Sequence, residues 1–228
     1  MAMEAAREAE AAVMRGDELG PLHGIPVPYK DTEPMKGVIW THGSLTYKDN
    51  IAEVDSIPLS RVKAAGGIIT GKTNTPENGF AGTTENRLGP PARNPWNPDK
   101  TPGGSSGGAS AAVASGLTSF APGGDGGGSI RIPAAFAGVY GIKATQGRVA
   151  RAGSTTRNAG HNIMNNATSG PLTRTVRDAA ETLAIFSGYD PRGEYDTITD
   201  DVPDYVGALT KGVKGMKIGW TPDMGGNP

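Results

Sequence analysis

Short apolar runs alternate along this chain with stretches of small and polar residues, and the spacing of the runs predicts the elements. Met3 to Met14 is alanine-rich and charged, built of good helix formers, and reads as a helix closed by Gly16 and Gly20-Pro21. Ile25 to Tyr29 reads as a short strand, and its two prolines place it at an edge or an entry. Asp55 to Ala65 is a helix capped by Asp55 or Ser56 and ended by Gly66-Gly67, and the β-branched Ile68-Ile69-Thr70 that follows is a strand. Arg87 to Thr101, with four prolines, is a loop. Ser105 to Ser115 is a helix of small residues, and Leu117 to Ala121 is a buried strand. Pro133 to Ala137 starts a short helix, Val139 to Ile142 is a strand, and Thr175 to Phe186 is an amphipathic helix ending at Gly188. Met216 to Trp220 reads as a final strand.

Strands interleaved with helices predict the α/β class, with a mixed β-sheet core covered by helices on both faces and a single domain over residues 1–228. Charge and composition narrow the function. Lys plus Arg is 22, Asp plus Glu is 23, and the net charge is −1, so no basic stripe for nucleic acid is expected. There is no cysteine, which excludes disulfides and thiolate metal sites. His23, His42 and His161 lie far apart and carry no ligand spacing; neither a metal nor a cofactor is expected. No apolar run approaches the ~20 residues that span a bilayer, and the N-terminal stretch has no apolar signal core. A cytoplasmic location without a membrane partner is the expectation, so the Asn166-Ala167-Thr168 glycosylation sequon carries little meaning.

Two glycine-rich strings could carry chemistry. GGIITGKT, residues 66–73, satisfies the phosphate-loop pattern. That loop needs a strand before it, however, and here a helix precedes it while Ile68-Ile69-Thr70 fill the variable positions. Lys72 is then a polar residue at a strand end. GGDGGGSIRIP, residues 123–133, holds five glycines ahead of one serine. It lacks a lysine placed for phosphate, and it is flanked by apolar segments, which a linker would not be. Presentation of Ser129 is the reading left. Acyl transfer needs a hydroxyl, a base to take its proton, and N–H donors for the oxyanion, and glycines can turn successive amides to one side. No G-x-S-x-G elbow occurs, and a Ser-His-Asp triad would need a histidine without a supporting motif; a Ser-Lys arrangement is the other known solution. Lys30 closes an apolar strand, where desolvation would make it a base; an exposed strand-end lysine is the plain alternative.

The strings PLHGIPVPYKDT (21–32), GKTNTPE (71–77), RNPWNPDKTPGGSSGGASAAVASG (93–116), GGDGGGSIRIPAAFAGVYGIKATQGRV (123–149) and GPLTRTVRDAA (170–180) together resemble the amidase signature family. The resemblance implies a Ser–cis-Ser–Lys unit, with Ser129 as nucleophile, Ser105 as bridging serine beside a cis peptide, and Lys30 as base. It implies an oxyanion hole from the N–H groups of Gly126, Gly127, Gly128 and Ser129, support from Ser106, Asp125 and Arg131, and a substrate near Glu77, Asn78 and Gly79. Where the family commonly reads G-T-D-x-G-G-S with a bulkier fourth residue, this chain has Gly124 and Gly126. The family domain usually continues beyond both ends of such a stretch, so an incomplete amidase signature fold is expected. The implied partner is a small-molecule amide, with aliphatic, aryl, peptide-amide, carbamate and ester substrates all open, and a homodimer open as well. Two rival readings stand beside amide hydrolysis: an amidase-like glutaminase subunit of an amidotransferase complex, and an inactive fragment that needs its missing half.

Overall fold

The computed structural model describes residues 1–151, 166–193 and 197–221. It is an α/β structure with two small sheets. In the first, β1 (Pro26–Lys30) pairs in parallel with β2 (Ile68–Thr73), with Lys30 opposite Thr73. In the second, β3 (Phe120–Asp125) and β4 (Tyr140–Gly141) flank the antiparallel strand β5 (Thr168–Thr173). The sheets adjoin where Thr118 Oγ1 donates to the Pro26 carbonyl at 2.9 Å. Pro26 and Pro28 have no N–H to donate, which suits a strand laddered to one neighbour.

The helices cover both faces. Successive strand residues point to opposite sides, and Phe120 and Ala121 enter different clusters. Phe120 packs with Val27, Tyr29, Leu59, Val62 and Phe186, which come from β1, α2 (Ile57–Ala64) and α5 (Val176–Phe186). Ala121 packs with Ala109, Val113, Ile130, Ala134 and Leu172, drawing on α3 (Gly107–Ala114) and α4 (Arg131–Ala137). Helix α2 is capped by Ser56, which accepts from Leu59 N–H, and α5 by Thr175, which accepts from Asp178 N–H. Helix α1 (Ala2–Arg15) buries none of its residues, and a short α6 (Tyr205–Ala208) follows α5.

Three expectations change. The strand expected over Leu117–Ala121 lies later, at Phe120–Asp125, and takes in part of the glycine run. Gly123 must be glycine there: a Cβ would stand 2.9 Å from Ser106 Oγ and 3.0 Å from Ile130 Cγ1. Met216–Trp220 forms no strand, and Met216, Ile218 and Trp220 are exposed. Its alternation fits a strand, but no edge among the described residues pairs with it. The third is β5, which sequence patterning missed although it is buried along its whole length. His161 lies outside the described residues.

Leu172 is fully buried under α3 and beside Ile130, the residue after Ser129. Leu172→Ala should lower unfolding stability by about 3 kcal/mol, within the ~2–5 kcal/mol usual for core leucines. Urea denaturation followed by circular dichroism would measure it, and a loss below ~1 kcal/mol would contradict the packing described.

Candidate active site

Lys30 is the last residue of β1, so the strand delivers its side chain to the carboxyl end of the parallel pair, inside the protein. Its Nζ donates to Ser105 Oγ at 2.6 Å and to Ser106 Oγ at 3.0 Å. All three side chains are buried. The two serines immediately precede α3, and the Gly104–Ser105 peptide is cis. The pair is anchored on both sides by Thr84, whose Oγ1 donates to the Gly103 carbonyl at 2.8 Å and accepts from Gly107 N–H at 3.1 Å. Burial pulls the Lys30 amine down, Glu33 and Asp125 pull it back up and Arg151 lowers it, leaving it at about 7.

The second part is the turn after β3. The buried Asp125 carboxylate accepts from three backbone N–H groups, those of Gly128 (2.7 Å), Ile130 (3.2 Å) and Arg131 (3.2 Å). It also accepts from Arg131 Nε at 2.9 Å and Nη2 at 3.0 Å. Burial alone would raise this carboxyl, but the Arg131 guanidinium and the backbone donors outweigh burial and hold it at about 2. Arg131 and Asp125 therefore brace the turn. Gly128 has φ 115, a left-handed value that only glycine takes without strain.

Ser129 is half-buried between this turn and the buried Ile130. Its carbonyl accepts from Ser106 N–H at 3.1 Å, docking the serine pair against the glycine turn. Among the described residues its hydroxyl makes no hydrogen bond, and the N–H groups of Gly126, Gly127 and Ser129 have no acceptor. The Gly128 N–H differs from these three in donating to the Asp125 carboxylate.

Glu77–Gly79 forms one 3-10 turn beside the serines. A methyl group on Gly79 would stand 3.3 Å from Ser105 Oγ. Glu77 Oε1 accepts from Ser44 Oγ at 2.6 Å, and Asn78 N–H donates to the His42 carbonyl at 2.7 Å. Glu77 and Glu85 line two neighbouring clefts, of about 530 and about 500 Å³. The other predicted positions are structural. His23 lies with Nε2 2.9 Å from the Ala9 carbonyl, and Lys72, in strand β2, pairs with Asp31 at 3.5 Å. Sequence reasoning missed Thr84 and the 41–44 turn, since each is placed by a fold contact that has no local pattern.

Comparisons with known proteins give the family. The family model described as Amidase matches residues 1–228. The chain is 44% identical over 224 residues to an acylamidase of Rhodococcus erythropolis, covering 98% of this chain and 45% of that one. It is 44% identical over 220 residues to the A subunit of the glutamyl-tRNA(Gln) amidotransferase of Moorella thermoacetica, covering 96% and 44%. Among solved structures, a bacterial aryl acylamidase of the amidase signature family superposes with TM-score 0.86 at 40% identity, covering 94% of this chain and 44% of that one. A 6-aminohexanoate cyclic dimer hydrolase complexed with substrate superposes with TM-score 0.78 at 36% identity, covering 91% and 42%. The chain thus spans a little under half the length of these relatives. A match along the whole chain means that the chain belongs to the amidase family.

Proposed function

We propose that the chain carries the acyl-transfer centre of an amidohydrolase that cleaves linear amide bonds, with Ser129 as nucleophile. The observation that carries this reading is the buried Lys30 amine, held against Ser105 and Ser106 and lowered to about 7. An ammonium there cannot accept a proton. Once neutral, Lys30 can receive one from Ser105 through the same 2.6 Å contact run in the opposite sense. As Ser129 Oγ attacks the amide carbon, its proton passes to Ser105 Oγ while the Ser105 proton passes to Lys30 Nζ. The N–H groups of Gly126, Gly127 and Ser129 face the oxyanion that develops on the carbonyl oxygen. The relay then returns the proton to the leaving amine, and water cleaves the acyl-enzyme by the same steps. Support for the turn that presents these donors comes from Asp125 and Arg131. Ser106 contributes its second hydroxyl to Lys30 and its N–H to the Ser129 carbonyl. Glu77, Asn78 and Gly79 form the wall that meets the substrate.

The likeness to amidotransferase A subunits supports a second reading, in which the same centre releases ammonia from glutamine for a partner. Ammonia release from glutamine, set against aniline release from acetanilide, separates the two.

Ser129→Ala should abolish hydrolysis of acetanilide, with the fold retained by circular dichroism; wild-type turnover in that variant would sink the assignment. Because the base works only when neutral, kcat/KM should fall about tenfold per pH unit below about 7. A profile flat from pH 5 to 9 would exclude Lys30 as the base.

The same amine links stability to pH. Unfolded, Lys30 keeps its proton up to about 10.5; folded, it releases it near 7. Between those values the unfolded state binds more protons, so stability should climb as pH rises through the window and be lost as pH falls toward 7. Urea midpoints of the wild type and of Lys30→Met, measured from pH 7 to 10, should rise more steeply in the former, since the lowered Lys72 amine adds a slope common to both.

Asp125→Asn should lower kcat about 100-fold, the scale expected when reacting groups are misplaced by ~1 Å. Steady-state kinetics would check it, and a change confined to KM would contradict a bracing role.

A further inference from the structure

Asp31 is the residue after the proposed base, yet its carboxylate points away into a cluster that the relay does not use. It accepts from Thr41 N–H at 3.2 Å and from the Thr41 hydroxyl, and it pairs with Lys72 at 3.5 Å. The Asp31 carbonyl accepts from His42 N–H at 3.2 Å. Both ends of Asp31 are thus fastened to the start of the 41–44 turn.

The far side of that turn holds the substrate-facing segment. The Thr41 hydroxyl accepts from Gly43 N–H at 3.0 Å, so the turn is tied internally. His42 sits at φ 54, which aims its carbonyl at Asn78 N–H, 2.7 Å away. Gly43 lies so close under residues 75–76 that a Cβ would stand 2.6 Å from the Thr75 carbonyl oxygen. Ser44 donates to Glu77 Oε1 at 2.6 Å. Gly79, at the end of the segment so held, faces Ser105. A continuous set of contacts therefore runs from Asp31, through 41–44, to the wall beside the bridging serine.

We propose that Asp31 is a positioning residue: by fastening the 41–44 turn, its carboxylate sets where residues 77–79 stand over Ser105 and so fixes the substrate wall. The kinetic effect of that role rests on the amidohydrolase reading; the structural effect does not. None of these hydrogen bonds is made by the Lys30 amine or by the Ser105 hydroxyl, which bond to each other. Loss of the Asp31–Thr41 bonds should therefore loosen the wall and weaken substrate binding, while the base keeps its own titration.

The test uses Asp31→Asn, Thr41→Val and Thr41→Ser, with acetanilide as the kinetic probe. Amide hydrogen exchange at Asn78 gives a readout independent of activity. In Asp31→Asn and Thr41→Val, Asn78 should exchange about tenfold faster, as expected when a local opening is eased. KM should rise severalfold, and the acid limb of the pH profile should stay in place. Thr41→Ser keeps the hydroxyl and should match the wild type in both readouts. Thr41→Val leaves the Asp31–Lys72 pair intact, so it carries the test if Asp31→Asn does not fold. Unchanged Asn78 exchange in folded Thr41→Val overturns the proposal, and so does a moved acid limb with KM unchanged, since Asp31 would then act through Lys30. If no form of the chain hydrolyses acetanilide, the exchange result alone decides the proposal, and the amidohydrolase reading is what fails.

Discussion

The site depends on one constraint: an amine has been taken out of water at Lys30. Bringing a lysine from 10.5 to about 7 corresponds to a free-energy difference on the order of 5 kcal/mol between its two protonation states. Two hydrogen bonds to serine hydroxyls, at roughly 1 kcal/mol net each, do not restore the ammonium. Glu33 and Asp125 act in its favour and still leave the neutral form accessible near pH 7. Desolvation wins, and the fold is what enforces it. The parallel ladder of β1 and β2 carries Lys30 into the interior, and the serines before α3 close over it.

The opposite problem is solved at Asp125. That carboxylate is as buried as Lys30, but it keeps its charge because five donors, two of them from a guanidinium, replace the water it has lost. One buried group is starved of compensation and the other saturated with it. The contrast sets them apart: the Lys30 amine is left with its neutral form within reach, and the Asp125 carboxylate is locked into the turn. Ser106 joins the two parts, its N–H donating to the Ser129 carbonyl and its hydroxyl to the Gly124 carbonyl.

Much of this was legible in the sequence, and the exceptions have physical reasons. Ser129 could be singled out from the glycine run before it, but Lys30, Ser105, Asp125 and Arg131 took their roles only from the resemblance to the amidase signature family, since Lys30 read alone is equally an exposed strand-end lysine. α2 and α5 could be read because their caps and apolar spacing are local properties. Strand β5 could not: TSGPLT contains glycine and proline and shows no alternation, and it is a strand because two neighbours claim it from either side. The glycines of β3 hid a strand for the same reason, since pairing with β5 supplies what propensity lacks. Met216–Trp220 failed in the other direction, having the alternation but no partner among the described residues. Gly128 shows a finer limit. A run of glycines reveals that several amides are free to turn, but only the position of the Asp125 carboxylate decides which one donates to it.

Small residues let these parts approach one another. Gly123 allows Ser106 to lie against β3, and Gly79 allows the 3-10 turn to lie against Ser105. At both places a methyl group would reach about van der Waals contact or closer with a serine oxygen. Such surfaces bury little apolar area, so they add little hydrophobic stabilisation of their own. The neighbouring aliphatic clusters around Phe186 and Leu172 must hold the serines in place. Ile130 makes the connection direct: fully buried in the Leu172 cluster, it follows Ser129 and donates its N–H to Asp125. The apolar core therefore reaches to within one peptide bond of Ser129, and the placement of its hydroxyl is a consequence of how well that core is packed.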